Sequence, residues 1–201
     1  MPAYDQAAER EWIRLAQAGD DQAFSELVGA FQVPVYNLCY RMLEDGGEAE
    51  DAAQETFLRA YRNMKRYDPE RKFVTWLLSI ASNHCIDRIR KRRLTFLSLE
   101  KTPEIWEGSD PNPGPEGRVE DLELQAEVKE MLGSLNSPDR AAILLRYWYD
   151  YSYEEIADTL TLSVSAVKSR LHRARRDLAD GWQGQAMILV NGGRQDEPST
   201  I

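Results

Sequence analysis

Apolar residues recur at helical spacing along most of this chain. Residues 21–43 carry the longest apolar stripe, which Pro34 interrupts and should kink. Shorter stripes occupy residues 10–18 and 48–64, and another begins at Phe73. No segment alternates with the two-residue period of a half-buried strand. We therefore predict an all-α protein whose first four helices form one compact domain.

Composition then divides the chain. Residues 1–95 form the first predicted domain, whereas residues 96–118 are rich in proline and glycine and poor in apolar side chains. That composition predicts a flexible linker. Helical periodicity resumes in residues 119–180, where Ser137 is expected to cap a helix ahead of a proline. The fold class is thus two helical domains joined by a linker, followed by a C-terminal tail over residues 181–201 that we expect to fray.

The second domain ends in a pattern typical of a helix-turn-helix. Ser152 and Glu155 have the spacing of a capping box for a short helix, and Ser163 can cap the helix that follows. This second helix buries one stripe and exposes a group of polar and cationic side chains. The group comprises Lys168, Ser169, Arg170, His172, Arg173 and Arg176. The motif predicts DNA binding in the major groove; the alternative is an amphipathic surface helix with a solvated basic face.

The formal net charge is −9, but two segments of the chain are basic, and we call them the basic islands. Residues 66–95 carry a net charge of +5 and residues 161–180 a net charge of +3. Salt confines the field of each island to about 10 Å, so local charge decides what binds where. We expect both islands to face nucleic acid. The acidic remainder predicts poor binding to free duplex DNA unless another protein brings the chain there.

Several other classes of function fit the sequence poorly. No apolar run has the length of a membrane span and no signal peptide is recognisable, so we expect a cytoplasmic protein without membrane insertion. Cys39 and Cys85 belong to no paired motif and are expected to be reduced thiols. His84 adjoins Cys85 without further candidate ligands nearby. With no phosphate-binding loop or nucleophile–base pattern, we expect no metal, no cofactor and no catalysis by this chain.

Two long runs carry a resemblance to a known family. They are EDAAQETFLRAYRNMKRYDPERKFVTWLLSIASNHCIDRIRKRR, residues 50–93, and SYEEIADTLTLSVSAVKSRLHRARRDL, residues 152–178. In this order, separated by a linker, they resemble the extracytoplasmic-function (ECF) sigma factors of bacteria. The resemblance implies a sigma factor that binds core RNA polymerase and directs it to promoter DNA of a stress or envelope-response regulon. It also implies an anti-sigma factor as a partner. A stand-alone helix-turn-helix transcriptional regulator is the alternative.

The resemblance also assigns roles to surfaces. Residues 1–95 correspond to sigma region 2, and one helix face is expected to bind core polymerase: Asp51, Gln54, Glu55, Leu58 and Arg62. The −10 element is expected to be melted and read by Arg66, Lys72, Trp76, Asn83, Arg88, Arg90, Arg92 and Arg93. Asn83 matches the family asparagine that lines a pocket for a flipped base, whereas the apolar spacing favours a core position for Trp76.

Residues 119–180 correspond to sigma region 4, so the exposed group on the second helix of the helix-turn-helix would read the −35 element. The linker of 23 residues can extend over about 75–80 Å. Promoter elements about 17 base pairs apart are separated by roughly 58 Å. The linker is therefore long enough for both domains to bind one promoter.

Overall fold

The computed structural model describes residues 6–98 and 128–181, and all regular structure within these ranges is helical. This confirms the all-α prediction. The first unit contains α1 (Gln6–Gln17), α2 (Asp21–Leu43), α3 (Gly46–Asn63), a 3-10 turn (Met64–Arg66) and α4 (Phe73–Ser98). The second contains α5 (described over 128–134), α6 (Ser137–Tyr147), α7 (Tyr153–Leu160) and α8 (Val164–Gly181).

Side-chain caps set where the helices of the second unit begin. The capping box of α7 is confirmed, because the Glu155 N–H donates to Ser152 Oγ at 3.1 Å and the Ser152 N–H donates to the Glu155 carboxylate at 2.9 Å. The prediction that Ser137 caps α6 is wrong. Asn136 is the cap, and its side-chain oxygen accepts a hydrogen bond from the Asp139 N–H at 3.1 Å. Asn136 thereby satisfies a donor that would otherwise be unpaired in the first turn.

Helix α2 is the centre of the first unit and contacts α1, α3 and α4. The helix continues through Pro34. The Pro34 carbonyl accepts a hydrogen bond from Tyr149 Oη of the second unit at 2.7 Å. Cys39 on α2 and Cys85 on α4 are both buried free thiols, as the sequence predicts.

The two units pack against each other through α2 and α4 on one side and α6 and α7 on the other. Their buried side chains form one continuous cluster. The contact includes a buried cation, because Arg140 Nη1 lies 2.6 Å from Glu44 Oε1 and donates to the Met42 carbonyl at 2.7 Å. A methyl group on Gly133 would come within 3.0 Å of Glu44 Oε1, so this glycine leaves room for the carboxylate. We call this packing the closed arrangement.

Most of the predicted linker and tail lies outside the described residues, which omit 99–127 and 182–201. Helix α4 extends to Ser98 and so includes the first three residues of the predicted linker. None of the described helices is long and apolar enough to cross a membrane. Within the described ranges, no group of three or more His, Cys, Asp and Glu side chains could hold a metal ion.

Candidate DNA-binding and polymerase-binding surfaces

An open cavity of about 370 Å³ lies where α3, the 3-10 turn and α4 meet. Three of the residues predicted to act at the −10 element line it together: Arg66, Trp76 and Asn83. Sequence reasoning missed the remaining lining residues, which are Arg59, Asn63 and Ile80. Helical spacing could have found Ile80, which is one turn before Asn83 on α4. Arg59 and Asn63 are one turn apart on α3 and join this cavity only through the packing of α3 on α4.

Trp76 contributes both to the core and to the cavity. Its ring centroid lies 5.0 Å from that of Tyr67 and 5.6 Å from that of Phe73, two side chains that are almost fully buried. Burial raises the pKa of Tyr67 to about 12, and its hydroxyl donates to the Arg71 carbonyl. The indole is thus fixed from one side by packed rings, while it remains half-buried at the wall of the cavity.

The closed arrangement places α7 against this part of the first unit. Asn83 Nδ2 donates to the Thr159 carbonyl at 3.0 Å, and Lys72 Nζ lies 3.4 Å from Glu155 Oε1. Arg71, adjacent to Lys72, pairs with Asp158 at 2.9 Å. Two side chains predicted to contact the −10 element therefore contact the second unit in this arrangement.

Two arginines in the C-terminal half of α4 lie near acidic side chains of α3. Arg88 lies 3.7 Å from Glu48 and 3.5 Å from Asp51, and Arg92 lies 3.7 Å from Glu48. These distances are long for ion pairs, and the Arg88 and Glu48 side chains are partly buried, with exposed fractions of 32% and 23%. The other predicted cations of this run are exposed: Arg90 and Arg93.

The five residues predicted to bind polymerase lie on the outward side of α3, where Leu58 is 50% exposed. Glu55 differs from its neighbours because Arg59 Nε donates to its carboxylate at 2.7 Å. This hydrogen bond lowers the pKa of Glu55. Its side chain is 34% exposed, compared with 68% for Asp51. Asp51 is therefore more open to a partner than Glu55.

The predicted −35 surface of α8 is largely exposed, with one exception. Arg170 Nη1 lies 2.7 Å from Asp139 Oδ1, and Asp139 is only 1% exposed. Arg173 lies 4.0 Å from the same oxygen, but its side chain is 54% exposed. Lys168 Nζ lies 5.7 Å from the centroid of the Tyr153 ring. The others are exposed on α8: Ser169, His172 and Arg176.

Comparison with known proteins identifies the family. The model of Sigma-70 region 2 matches residues 27–95, and that of Sigma-70 region 4 matches residues 125–178. The ECF RNA polymerase sigma factor SigW of Bacillus subtilis is 39% identical over 173 residues, which cover 83% of this chain and 92% of SigW. The chain belongs to the ECF sigma factors. Sigma factors direct RNA polymerase to promoters, and these matches do not favour the alternative of a stand-alone regulator.

Other similar proteins agree with this assignment. The ECF sigma factor SigE of Mycolicibacterium smegmatis is 36% identical over 196 residues, covering 90% of this chain and 74% of SigE. Among solved structures, CnrH in complex with the cytosolic domain of CnrY aligns with a TM-score of 0.63 at 29% identity, covering 86% of this chain and 96% of CnrH. The sigma factor RpoE of Bartonella quintana, in complex with the anti-sigma factor NepR, aligns with a TM-score of 0.65 at 23% identity. That alignment covers 85% of this sigma factor and 98% of RpoE, and it shows likeness of fold.

Proposed function

We propose that this sigma factor binds core polymerase through the exposed face of α3 and opens the −10 element by holding a flipped base in the 370 Å³ cavity. The cavity is the observation that carries the proposal. Its volume lies within the range of ligand pockets, about 300–1,000 Å³. Base extrusion needs a pocket with a stacking surface, hydrogen-bonding groups for the base edge and nearby cations for the backbone.

The lining of the cavity supplies each of these groups. Trp76 offers an aromatic surface held by packed rings, and the Asn83 amide can both donate to and accept from a base edge. Arg66 is exposed beside them and can contact phosphate. Without such compensation, unstacking a base costs a few kcal/mol. We therefore infer that the cavity stabilises the separated strand once it forms.

We propose that α8 reads the −35 element through the exposed part of the predicted set. Arg173 and Arg176 are exposed cations that can hold phosphate or a guanine edge, and Ser169 and His172 are exposed just before them on α8. Arg170 is assigned a supporting role, because buried Asp139 already holds its guanidinium. We also propose that residues 1–95 form the region 2 domain and that residues 119–180 form the region 4 domain.

Promoter binding requires the closed arrangement to open. The Asn83 amide nitrogen donates to the Thr159 and Ser79 carbonyls in this arrangement, so its N–H groups are not available to donate to a base. Lys72 lies beside Glu155 rather than phosphate. We infer that polymerase binding separates the two units and so exposes both surfaces together.

We also propose that an anti-sigma factor regulates this chain, as RpoE, which has a similar fold, was solved in complex with the anti-sigma factor NepR. The chain itself would catalyse nothing, since polymerase supplies the chemistry, and it would act in the cytoplasm, where promoters and polymerase are found. It would need no metal or cofactor.

Transcription by a reconstituted holoenzyme tests these roles. Purified core polymerase is combined with the full chain on genomic DNA, and the 5′ ends of the transcripts are mapped to define the promoters. Asn83→Ala is expected to reduce permanganate reactivity of unpaired thymines in the −10 region about tenfold, the loss of one good base contact. Asn37→Ala on α2, away from the cavity, is the matched control. Equal strand opening by the Asn83 and Asn37 variants would refute the assignment of the cavity, and absence of promoter-specific transcripts would refute the function.

A further inference from the structure

One ion pair joins the two surfaces that the proposed function keeps separate. Glu55 lies in the stripe of α3 assigned to polymerase, whereas Arg59, one turn later, lines the cavity. Arg59 Nε donates to Glu55 Oε1 at 2.7 Å. The pair therefore links the polymerase-facing side of α3 to the cavity within a single helical turn.

The hydrogen bond leaves most of the Arg59 guanidinium available. Arg59 Nε donates to Glu55, while the two Arg59 Nη groups make no hydrogen bond to any residue that the structure describes. The Arg59 side chain is 43% exposed. Paired Nη groups in a planar fork match the geometry of a phosphate. Arg59 is thus oriented by one acceptor and retains donors for a second one.

The environment at the cavity favours an anion as that second acceptor. Arg66 also lines the cavity, and the lining set contains no carboxylate. Phosphate contacts of this kind position a nucleic-acid strand without reading its sequence. A strand whose base enters the cavity must bring its own backbone phosphates to the rim.

We propose that Arg59 binds a backbone phosphate of the separated −10 strand, and that Glu55 is a positioning residue for Arg59 rather than a direct polymerase contact. This inference rests on the proposed function of the cavity. It reassigns one member of the predicted polymerase stripe and leaves its other four members, which include the more exposed Asp51 and Leu58, to contact the partner.

The test measures two affinities of the full-length protein. The first is the affinity for core polymerase. The second is the affinity of the assembled holoenzyme for a fork-junction DNA with an unpaired −10 strand, measured over a series of salt concentrations. Arg59→Gln is expected to weaken fork binding about tenfold and to reduce the slope of log affinity against log salt by about 0.7, the value for one lost single-strand phosphate contact. Core affinity is expected to stay the same.

Glu55→Gln is expected to weaken fork binding in the same direction but by less, with core affinity retained. The double variant E55R/R59E restores an ion pair on the helix but removes the cation from the cavity, so fork binding is expected to stay weak. The controls are Glu11→Gln and Arg14→Gln on α1, an exposed glutamate–arginine pair within one helical turn. Circular dichroism and thermal midpoints verify that every variant is folded.

The outcomes separate the inference from the proposal beneath it. If Glu55→Gln loses core affinity while the salt slope for fork DNA is unchanged, Glu55 is a polymerase contact and the inference is wrong. If Asn83→Ala weakens fork binding but Arg59→Gln does not, only the inference is overturned. If neither variant affects fork binding, the cavity function and the inference are overturned together.

Discussion

The strongest prediction concerns Arg140, the buried cation that joins the two units. Its side chain is only 10% exposed and meets Glu44 at 2.6 Å, the Met42 carbonyl at 2.7 Å and the Gly133 carbonyl at 2.9 Å. Burial lowers the pKa of Arg140, and the Glu44 carboxylate opposes that shift. Arg140→Ala removes the cation and leaves its acceptors without their partner.

The magnitude follows from burial. Removing one partner of a fully buried ion pair costs about 3–5 kcal/mol. The Glu44 side chain is 30% exposed and can regain some hydration, so we expect a loss of about 2–4 kcal/mol. Because Met42 and Glu44 belong to the first unit and Arg140 to the second, this loss falls largely on the closed arrangement.

Urea unfolding measured by far-ultraviolet circular dichroism reports the stability, and small-angle X-ray scattering reports the separation of the units. We expect Arg140→Ala to unfold at lower urea and to have a larger radius of gyration. The control is Arg14→Ala, because its exposed pair with Glu11 is screened by solvent and is expected to contribute little to stability. If Arg140→Ala shifts the urea midpoint no more than the control and leaves the scattering curve unchanged, Arg140 does not hold the units together.

Three further predictions concern the second unit and the region near the cavity. Arg170→Ala should lower the free energy of unfolding by about 2–4 kcal/mol, because it removes the nearer of the two cations that pair with buried Asp139. Arg173→Ala should weaken −35 binding by about 1–3 kcal/mol at an unchanged thermal midpoint, and equal midpoints for both variants would contradict this difference. Burial, aided by nearby arginines, lowers the pKa of His84 from 6.5, so its stabilising contribution is complete above that pH and is lost as the pH falls toward its folded-state pKa. The thermal midpoint should therefore fall between about pH 7.5 and 5.5, and His84→Gln should reduce that dependence. Ser152→Ala should cost about 1 kcal/mol through loss of the N-cap of α7, measured by urea unfolding, and an unchanged urea midpoint would show that the cap does not stabilise the protein.

Local sequence was sufficient to predict the helices and most of their boundaries. The spacing of apolar residues reports which face of a helix is buried, and the Ser152 capping box depends only on residues within one turn. The misplaced cap of α6 has the same local origin. Asn136 and Ser137 are both good caps, and the choice between them depends on the hydrogen bond that forms to Asp139.

Contacts between distant segments could not be predicted in this way. Arg140 lies in sequence among residues typical of an exposed first turn, and nothing local indicates that it reaches Met42 on α2. Arg170 appeared to be one cation among several on α8, because its buried partner Asp139 precedes it by 31 positions. Likewise, resemblance located Asn83, but only the packing of α3 on α4 shows that Arg59 shares its cavity.

The hydrogen bond from Asn83 to Thr159 has a consequence for inhibition. Consider an inhibitor that binds only the protein molecules in which this hydrogen bond is formed. Its apparent affinity is the intrinsic affinity multiplied by the fraction of protein molecules in that state. Loosening the junction at Arg140 would therefore weaken such an inhibitor without altering any atom it touches. Genetic screens for escape from inhibition would recover substitutions at the domain junction as well as in the inhibitor's own footprint.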